Sequence, residues 1–521
     1  MFDLVLAGGR VVDGTGSPWF RADVGVRGDR IAAVGALGRA EARQRVDVGG
    51  RVVAPGFVDM HVHADLALLA DPYHEAAIRQ GVTTYLLGQD GVAMAPASAA
   101  TLAYMRRYTA GFSGRHDLPD TWSSVAEYLA RFDRRVALNV AHLVPNGNVR
   151  AEVLGLESRR ATADELTRMR AVIRRGLEDG AVGVSSGLDY IPSRYADTEE
   201  LIALCRELGP AGGVYVTHMR GYAPETVLDS MAEVFRIGRE AAIPVHISHF
   251  NSRADLVLPR LDAARDRGID ATFDLYPYLA GSTILGMIVL PPWVQEGGPE
   301  PTLSRLADPA IRKRLLTEGG DGPRGPIDDV RLAYVEAPAY RSYEGLTLAD
   351  GARAAGKGAG PAGVMDFACD VLLASALAVG CVVPHRGRGE VDVRALMRHP
   401  AMLGGSDGIF AGDHPHPRGY GCFARYLGPY VRDTLAWTLE EAVEHLAGQP
   451  ARRLGLADRG LIREGLAADL VVFDPARIVD RATYERGREL AIGMEHVLVN
   501  GDPVLLHGER TKALPGRALR R

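Results

Sequence analysis

Cysteine is scarce and scattered in this 521-residue chain: Cys205, Cys369, Cys381 and Cys422 lie far apart, and none belongs to a CxxC pair. The spacing excludes a disulfide framework and a thiolate zinc knuckle, leaving four small core or surface residues. No uninterrupted apolar stretch approaches the roughly 20 residues of a membrane span, so no membrane partner is expected. The first ten residues, from Met1 to Arg10, lack the basic and apolar segments of a secretory signal, which predicts a cytoplasmic protein. A net charge of −5, with both signs interspersed, provides no basic face and argues against nucleic acid as a partner.

What is present is ordinary for a large globular protein: 47% apolar and 24% charged residues. The length exceeds one ordinary domain but suits a (β/α)8 barrel of roughly 250 residues or more with a second module. Residues 1–54 read as short strands (4–7, 10–12, 23–26, 31–34 and 51–53) broken by Gly and Asp turns. From 55 to about 454, apolar strand-like runs alternate with helical segments such as 162–178 and 224–241, the rhythm of a parallel α/β barrel. After 455 short strands and turns return, so segments 1–54 and 455–521 are expected to build one composite β-sandwich. Between 282 and 347 the rhythm is lost around Pro291-Pro292-Trp293 and the Gly/Asp/Pro-rich stretch from Gly319 to Pro326, which predicts an insertion or lid. The basic segment from Gly508 to Arg521 reads as a surface tail.

The most informative stretch is Gly56-Phe57-Val58-Asp59-Met60-His61-Val62-His63. Side chains repeat with period 2 along a strand, so His61 and His63 point to one side and can share a metal ion. Three further apolar runs end in metal-compatible groups: Val214-Tyr215-Val216-Thr217-His218, Val245-His246-Ile247-Ser248-His249 and Leu403-Gly404-Gly405-Ser406-Asp407. A barrel gathers such strand ends on one face, and imidazole with carboxylate suits zinc or a neighbouring divalent metal able to activate water. His246, three residues before His249, falls on the opposite face and reads as structural.

These motifs, in this order, resemble the amidohydrolase superfamily. Ala181-Val182-Gly183-Val184-Ser185-Ser186-Gly187-Leu188, Thr217-His218-Met219-Arg220, Tyr276-Pro277-Tyr278-Leu279-Ala280-Gly281-Ser282-Thr283 and His414-Pro415-His416-Pro417-Arg418 resemble its N-acyl-D-amino-acid deacylase (D-aminoacylase) group. The resemblance covers nearly the whole chain. It implies that His218, His249 and Asp90 hold the tighter metal, that His61 and His63 face a second position, and that Asp407 is the general base and acid. It also implies a substrate carboxylate met by Tyr276, Ser282 and Arg418, and a homo-oligomer is compatible with it.

Three departures stand out. The group's metal-ligating cysteine is Asp90 in Leu87-Gly88-Gln89-Asp90-Gly91; a carboxylate still ligates zinc but makes manganese or cobalt more acceptable. A substrate-binding lysine two residues after the strand-end histidine is Asn251, which removes one positive charge. A Gly-His-Gly element is Pro145-Asn146-Gly147. The expected activity is hydrolysis of the amide bond of an N-acyl-D-amino acid on one or two divalent ions, zinc first. Alternatives are hydrolysis of a D-residue dipeptide, an N-carbamoyl compound or a cyclic imide, and, from another class, a catalytically silent barrel that only binds.

Overall fold

The computed structural model describes residues 1–318 and 325–521. Its centre is an eight-stranded parallel sheet whose strands, in chain order, are β1 (Phe57–Asp59), β2 (Val82–Leu87), β3 (Asn139–Pro145), β4 (Gly183–Gly187), β5 (Val214–His218), β6 (Val245–Ile247), β7 (Ala271–Leu275) and β8 (Met402–Gly404). Neighbours in this order are neighbours in the sheet. All eight are fully buried, which is why most of them read as largely apolar runs instead of alternating ones. The seam between β8 and β1 is closed by backbone bonds from Met60 N to Gly404 O (3.0 Å), Asp407 N to His61 O (2.7 Å) and His63 N to Gly408 O (3.0 Å). The paired-histidine segment and the Asp407 segment are therefore adjacent staves of a (β/α)8 barrel.

Helices on the outside follow ordinary rules. The helix Ala163–Glu178 starts at a Thr162/Glu165 capping box, and Val227–Ala241 ends at Ala242 in a left-handed turn. Each turns an apolar stripe, Met169, Ile173 and Leu177 in one and Met231, Val234 and Ile237 in the other, onto the strands.

Both chain ends build a second domain. Its nine strands form one sheet in which Leu470–Phe473, from the C-terminal segment, pairs antiparallel with Val52–Pro55 from the N-terminal one. Leu6, Val24, Ile31, Val53, Leu470 and Leu498 belong to its own apolar core. This is the composite β-domain that the two strand-rich ends predict.

The interruption between β7 and β8 is longer than the 282–347 stretch. Strands Ala280–Ile284, Arg331–Val335 and Val379–Pro384 form a separate antiparallel sheet, and Leu285, Val294, Leu332, Phe367 and Cys381 share a core distinct from the barrel's. The apolar helix Pro361–Ala374 belongs to this unit. Its composition is that of a barrel helix, so local pattern alone places the boundary too early. The Gly/Asp/Pro-rich stretch from Gly319 lies, as far as 324, outside the described residues.

The C-terminal segment is not a surface tail. Leu519 N donates to Val140 O at 2.7 Å, Ala518 bridges Val140, and Leu519 packs with Val58, Met60, Leu86, Val182 and Val216 inside the barrel floor. The basic residues mask a short apolar pair, Ala518-Leu519, that plugs the barrel. Replacing Leu519 with Ala is expected to destabilise the barrel by about 2–5 kcal/mol, read as an earlier unfolding transition, whereas an unchanged melting curve would mean that the plug is dispensable.

Candidate metal centre and active site

Each polar side chain at the barrel mouth is placed by the end of a strand. His61 and His63 follow β1, Asp90 follows β2, His218 is the last residue of β5, His249 lies just past β6, and Asp407 lies just past β8. Three of these depart from ordinary backbone geometry: Asp90 (φ 55°), His249 (φ 36°) and Asp407 (φ 49°) are left-handed. Such conformations cost non-glycine residues on the order of 1–3 kcal/mol each and persist where the surroundings over-determine them. Gly88 sets up the Asp90 turn at φ 82°, where a Cβ would lie 2.3 Å from the Leu143 carbonyl. Gln89 clamps the same turn by donating to Met60 O and Leu86 O, both at 2.9 Å.

The Asp90 carboxylate stands among all four histidines. Its Oδ1 is 3.6 Å from His61 Nε2; its Oδ2 is 3.5 Å from His63 Nε2, 3.7 Å from His218 Nδ1 and 3.9 Å from His249 Nε2. Asp407 Oδ1 is 3.3 Å from His63 Nε2 and 3.7 Å from His61 Nε2. Three overlapping triads result, His61/His63/Asp90, Asp90/His218/His249 and His61/His249/Asp407, each with donor atoms within 4.8 Å of one another.

The donor set fits a divalent cation. Both ring nitrogens of His61 and the Oδ1 of Asp90 are buried without a hydrogen-bond partner, and such atoms are costly unless something coordinates them. Burial works against charge on Asp90, yet the imidazoles, His61 foremost, outweigh it and hold the carboxyl well below its ordinary value. Burial likewise disfavours the charged His63 ring, but Asp407 and Asp90 overcome it and lift that imidazole to about 10. The two carboxylates thus demand positive charge at this spot, as protons on His61 and His63 or as a metal ion replacing them. The first two triads share Asp90, so a carboxylate oxygen is available to each of two positions.

A second layer carries residues that sequence reasoning missed. Asp274, on β7, accepts from His249 N at 2.8 Å and meets His246 Nε2 at 3.0 Å, and its Oδ2 lies 3.6 Å from His61 Nδ1. His246 stays off the cluster and supports it through this carboxylate. Asp59 accepts from Ser406 N (2.8 Å), Ser406 Oγ (2.5 Å) and His61 N (3.2 Å), tying the histidine pair to the Asp407 loop; burial lifts its carboxyl to about 7. The available signal was a lone carboxylate inside an otherwise apolar run, Phe273-Asp274-Leu275 and Val58-Asp59-Met60, where a buried charge needs a partner.

Beside the cluster lies a cavity of about 490 Å³, lined by Asp90, His218, His249 and Asp407 and also by Asn251, Tyr276, Ser282 and His385. The volume is that of a small-molecule site. The inserted unit supplies part of its wall through Ser282, Thr283, Ile288 and Val383. Asn251 Nδ2 donates to the Tyr276 hydroxyl at 2.6 Å, and that hydroxyl meets His385 Nε2 at 3.0 Å. Arg418 is fully buried: its Nη1 lies 2.8 Å from Asp407 Oδ2, its Nη2 donates to the Ser282 carbonyl at 3.1 Å, and its guanidinium stacks 4.4 Å from the Tyr276 ring centre. Asn146, in the Pro145-Asn146-Gly147 departure, is buried and accepts from Ser193 Oγ.

Fold and site together define a barrel protein with a buried His/Asp metal-binding cluster and an adjoining small-molecule cavity. Residues 44–505 match the family model described as "Amidohydrolase family". The chain is 37% identical to D-aminoacylase of Alcaligenes xylosoxydans xylosoxydans across 100% of this chain and 98% of that protein. It is 35% identical to N-acyl-D-glutamate deacylase of the same organism across 100% and 96%. Among solved structures, N-acyl-D-glutamate deacylase from Bordetella bronchiseptica, complexed with zinc and a phosphonate mimic of the tetrahedral intermediate, superposes with a TM-score of 0.83 at 33% identity over 100% of each chain. The chain belongs to the amidohydrolase family and, within it, to the group of D-aminoacylase and its deacylase relatives.

Two outcomes follow from this geometry. Replacing Asp274 with Asn is expected to weaken metal binding by about 10- to 100-fold while leaving the fold intact, measured by metal titration of the apo protein. Because the raised His63 imidazole carries a proton that a metal must displace, binding to apo protein is expected to strengthen as pH rises toward 10 and to release protons. Calorimetric titrations in buffers of different ionisation enthalpy check this, and binding that neither depends on pH nor releases protons would contradict it.

Proposed function

We propose that this protein is a metal-dependent hydrolase that removes the acyl group from N-acyl-D-amino acids. The observation that carries the proposal is the placement of Asp407 against the histidine cluster in a chain that matches its deacylase relatives from end to end. His218, His249 and Asp90 hold one ion, and His61 and His63, with Asp90 shared, face a second position. Zinc suits this set, with manganese or cobalt acceptable to its carboxylate. Such an ion supplies Lewis acidity at the amide carbonyl and makes water acidic enough to be deprotonated near neutral pH.

The side chains perform the rest. Asp407 takes a proton from the attacking water on Oδ1, the oxygen turned toward His61 and His63, while Arg418 holds Oδ2. Burial raises this carboxyl, but Arg418, His63 and His61 outweigh it and bring it down to about 2, so it is ionised and ready to accept a proton. The same carboxyl returns the proton to the nitrogen that leaves, and the bond between carbonyl carbon and nitrogen is exchanged for one to water oxygen. Tyr276, Ser282 and Asn251 face the cavity where the amino-acid part lies. Arg418 serves Asp407 first, because its guanidinium is already engaged there.

Replacing Asp407 with Asn is expected to keep the metal content and lower turnover by about 10² or more; unchanged turnover would remove Asp407 from the mechanism. The proposal as a whole is tested by amine release from N-acetyl D- and L-amino acids, their amides and N-carbamoyl analogues, with bound metal quantified. Release from the D-acids is the expected result. Turnover of the N-carbamoyl analogues alone would overturn it, and none at all from metal-loaded protein would indicate a binding protein.

A further inference from the structure

His218 and His249 stand at the ends of different strands, so an ion held between them requires the two turns to keep a fixed separation. His218 Nδ1 and His249 Nε2 are 2.9 Å apart, and both face Asp90 Oδ2. The His249 turn is also strained, at φ 36°, and a strained turn persists only where its surroundings hold it. Asp274 holds it from the barrel wall, by accepting from His249 N.

Tyr222 joins the two turns from the mouth. Its hydroxyl accepts from Met219 N, in the residue after His218, at 3.0 Å and donates to Ser248 O, in the residue before His249, at 2.9 Å. A phenol suits this place because one oxygen can both donate and accept. The Tyr222 carbonyl in turn accepts from Ser252 Oγ, just past His249, at 2.9 Å. Its ring centre lies 5.2 Å from that of His218 and 5.1 Å from that of His249, the two imidazoles of the Asp90/His218/His249 triad. Met219 is fully buried, so its N–H has no water to turn to if the hydroxyl is removed.

The loop that presents Tyr222 is anchored in its own right. Arg220 Nε lies 2.8 Å from Glu233 Oε2, on the helix Val227–Ala241, and Arg220 Nη1 donates to Arg194 O at 3.1 Å. Gly221 packs so closely on Thr226 that a Cβ would lie 2.3 Å from the threonine hydroxyl. His61, of the neighbouring triads, is supported instead by Asp59 and Asp274.

We propose that Tyr222 is a positioning residue that sets the spacing of His218 and His249, and with it the affinity and geometry of the ion that they and Asp90 hold. The assignment rests on the metal-dependent reading above. The hydroxyl carries the effect: it ties the turn after β5 to the turn after β6 and keeps the left-handed His249 from relaxing.

Zinc titration of apo wild type, Tyr222→Phe and Tyr73→Phe, read by competition with a chromophoric chelator, tests this together with the visible spectra of the cobalt-loaded proteins. Tyr222→Phe keeps the ring and removes both hydroxyl bonds. Tyr73→Phe is the control, because it loses a comparable bond, to Val504 O at 2.6 Å in the β-domain. Tyr222→Phe is expected to bind the first zinc ion about 10-fold or more weakly than wild type and to shift the cobalt bands, with Tyr73→Phe matching wild type in both. Unchanged affinity in Tyr222→Phe overturns the proposal, and so does an equal loss in Tyr73→Phe, which would make the effect one of general stability. If Tyr222→Phe is insoluble, Ser252→Ala decides, since it removes only the bond to the Tyr222 carbonyl: a loss of about threefold or more supports the proposal, and unchanged affinity overturns it. Wild-type protein that binds neither zinc nor cobalt would defeat the metal-dependent reading and the proposal together. Binding by the wild type with no loss in the variants defeats the proposal alone.

Discussion

The Asp90 carboxylate lies within 4 Å of the imidazoles of His61, His63, His218 and His249, in a place from which water is almost excluded. Four buried rings cannot all be satisfied by one another, and a buried carboxylate cannot remain charged without compensation. The cluster is stable only when positive charge sits among these groups, and a divalent ion would supply it while giving the unpartnered His61 nitrogens something to bind. The left-handed backbone at Asp90, His249 and Asp407 is maintained for the same reason, since each turn delivers a carboxylate or imidazole to the cluster that a relaxed turn would aim elsewhere.

Around that charge the barrel is arranged in layers. Asp274 and Asp59 do not reach the metal-binding atoms with oxygens to spare; they fix the backbone of His249, His61 and Ser406 and thereby the distances on which Asp407 depends. Arg418 plays the complementary part, keeping Asp407 ionised and turning one oxygen toward the cluster. Arg418, the cation that sequence resemblance offers to the substrate, is thus also the ion-pair partner of Asp407.

Much of this was legible in the sequence because it is local. Period-2 placement of His61 and His63, apolar runs ending in His218, His249 and Asp407, and strand-rich ends flanking an α/β rhythm follow from backbone geometry and burial. The extent of the inserted unit was not, since the helix Pro361–Ala374 is apolar whether it packs on a barrel or on a small antiparallel sheet. Nor was the docking of Ala518 and Leu519, two residues among basic neighbours whose partner, Val140, is far away in the chain.

The sequence by itself determined the fold class, the order of the metal-competent strand ends and the chemical character of the cluster, because these depend on residue type and short-range periodicity. Only the tertiary structure decided that Asp90 faces all four histidines at once, that Asp274 supports His61 and His249 among them, and that Arg418 pairs with Asp407. Those are statements about distance and burial between segments far apart in the chain. The closure of the barrel between β8 and β1, which no local pattern encodes, is what brings Asp407 to the histidine pair.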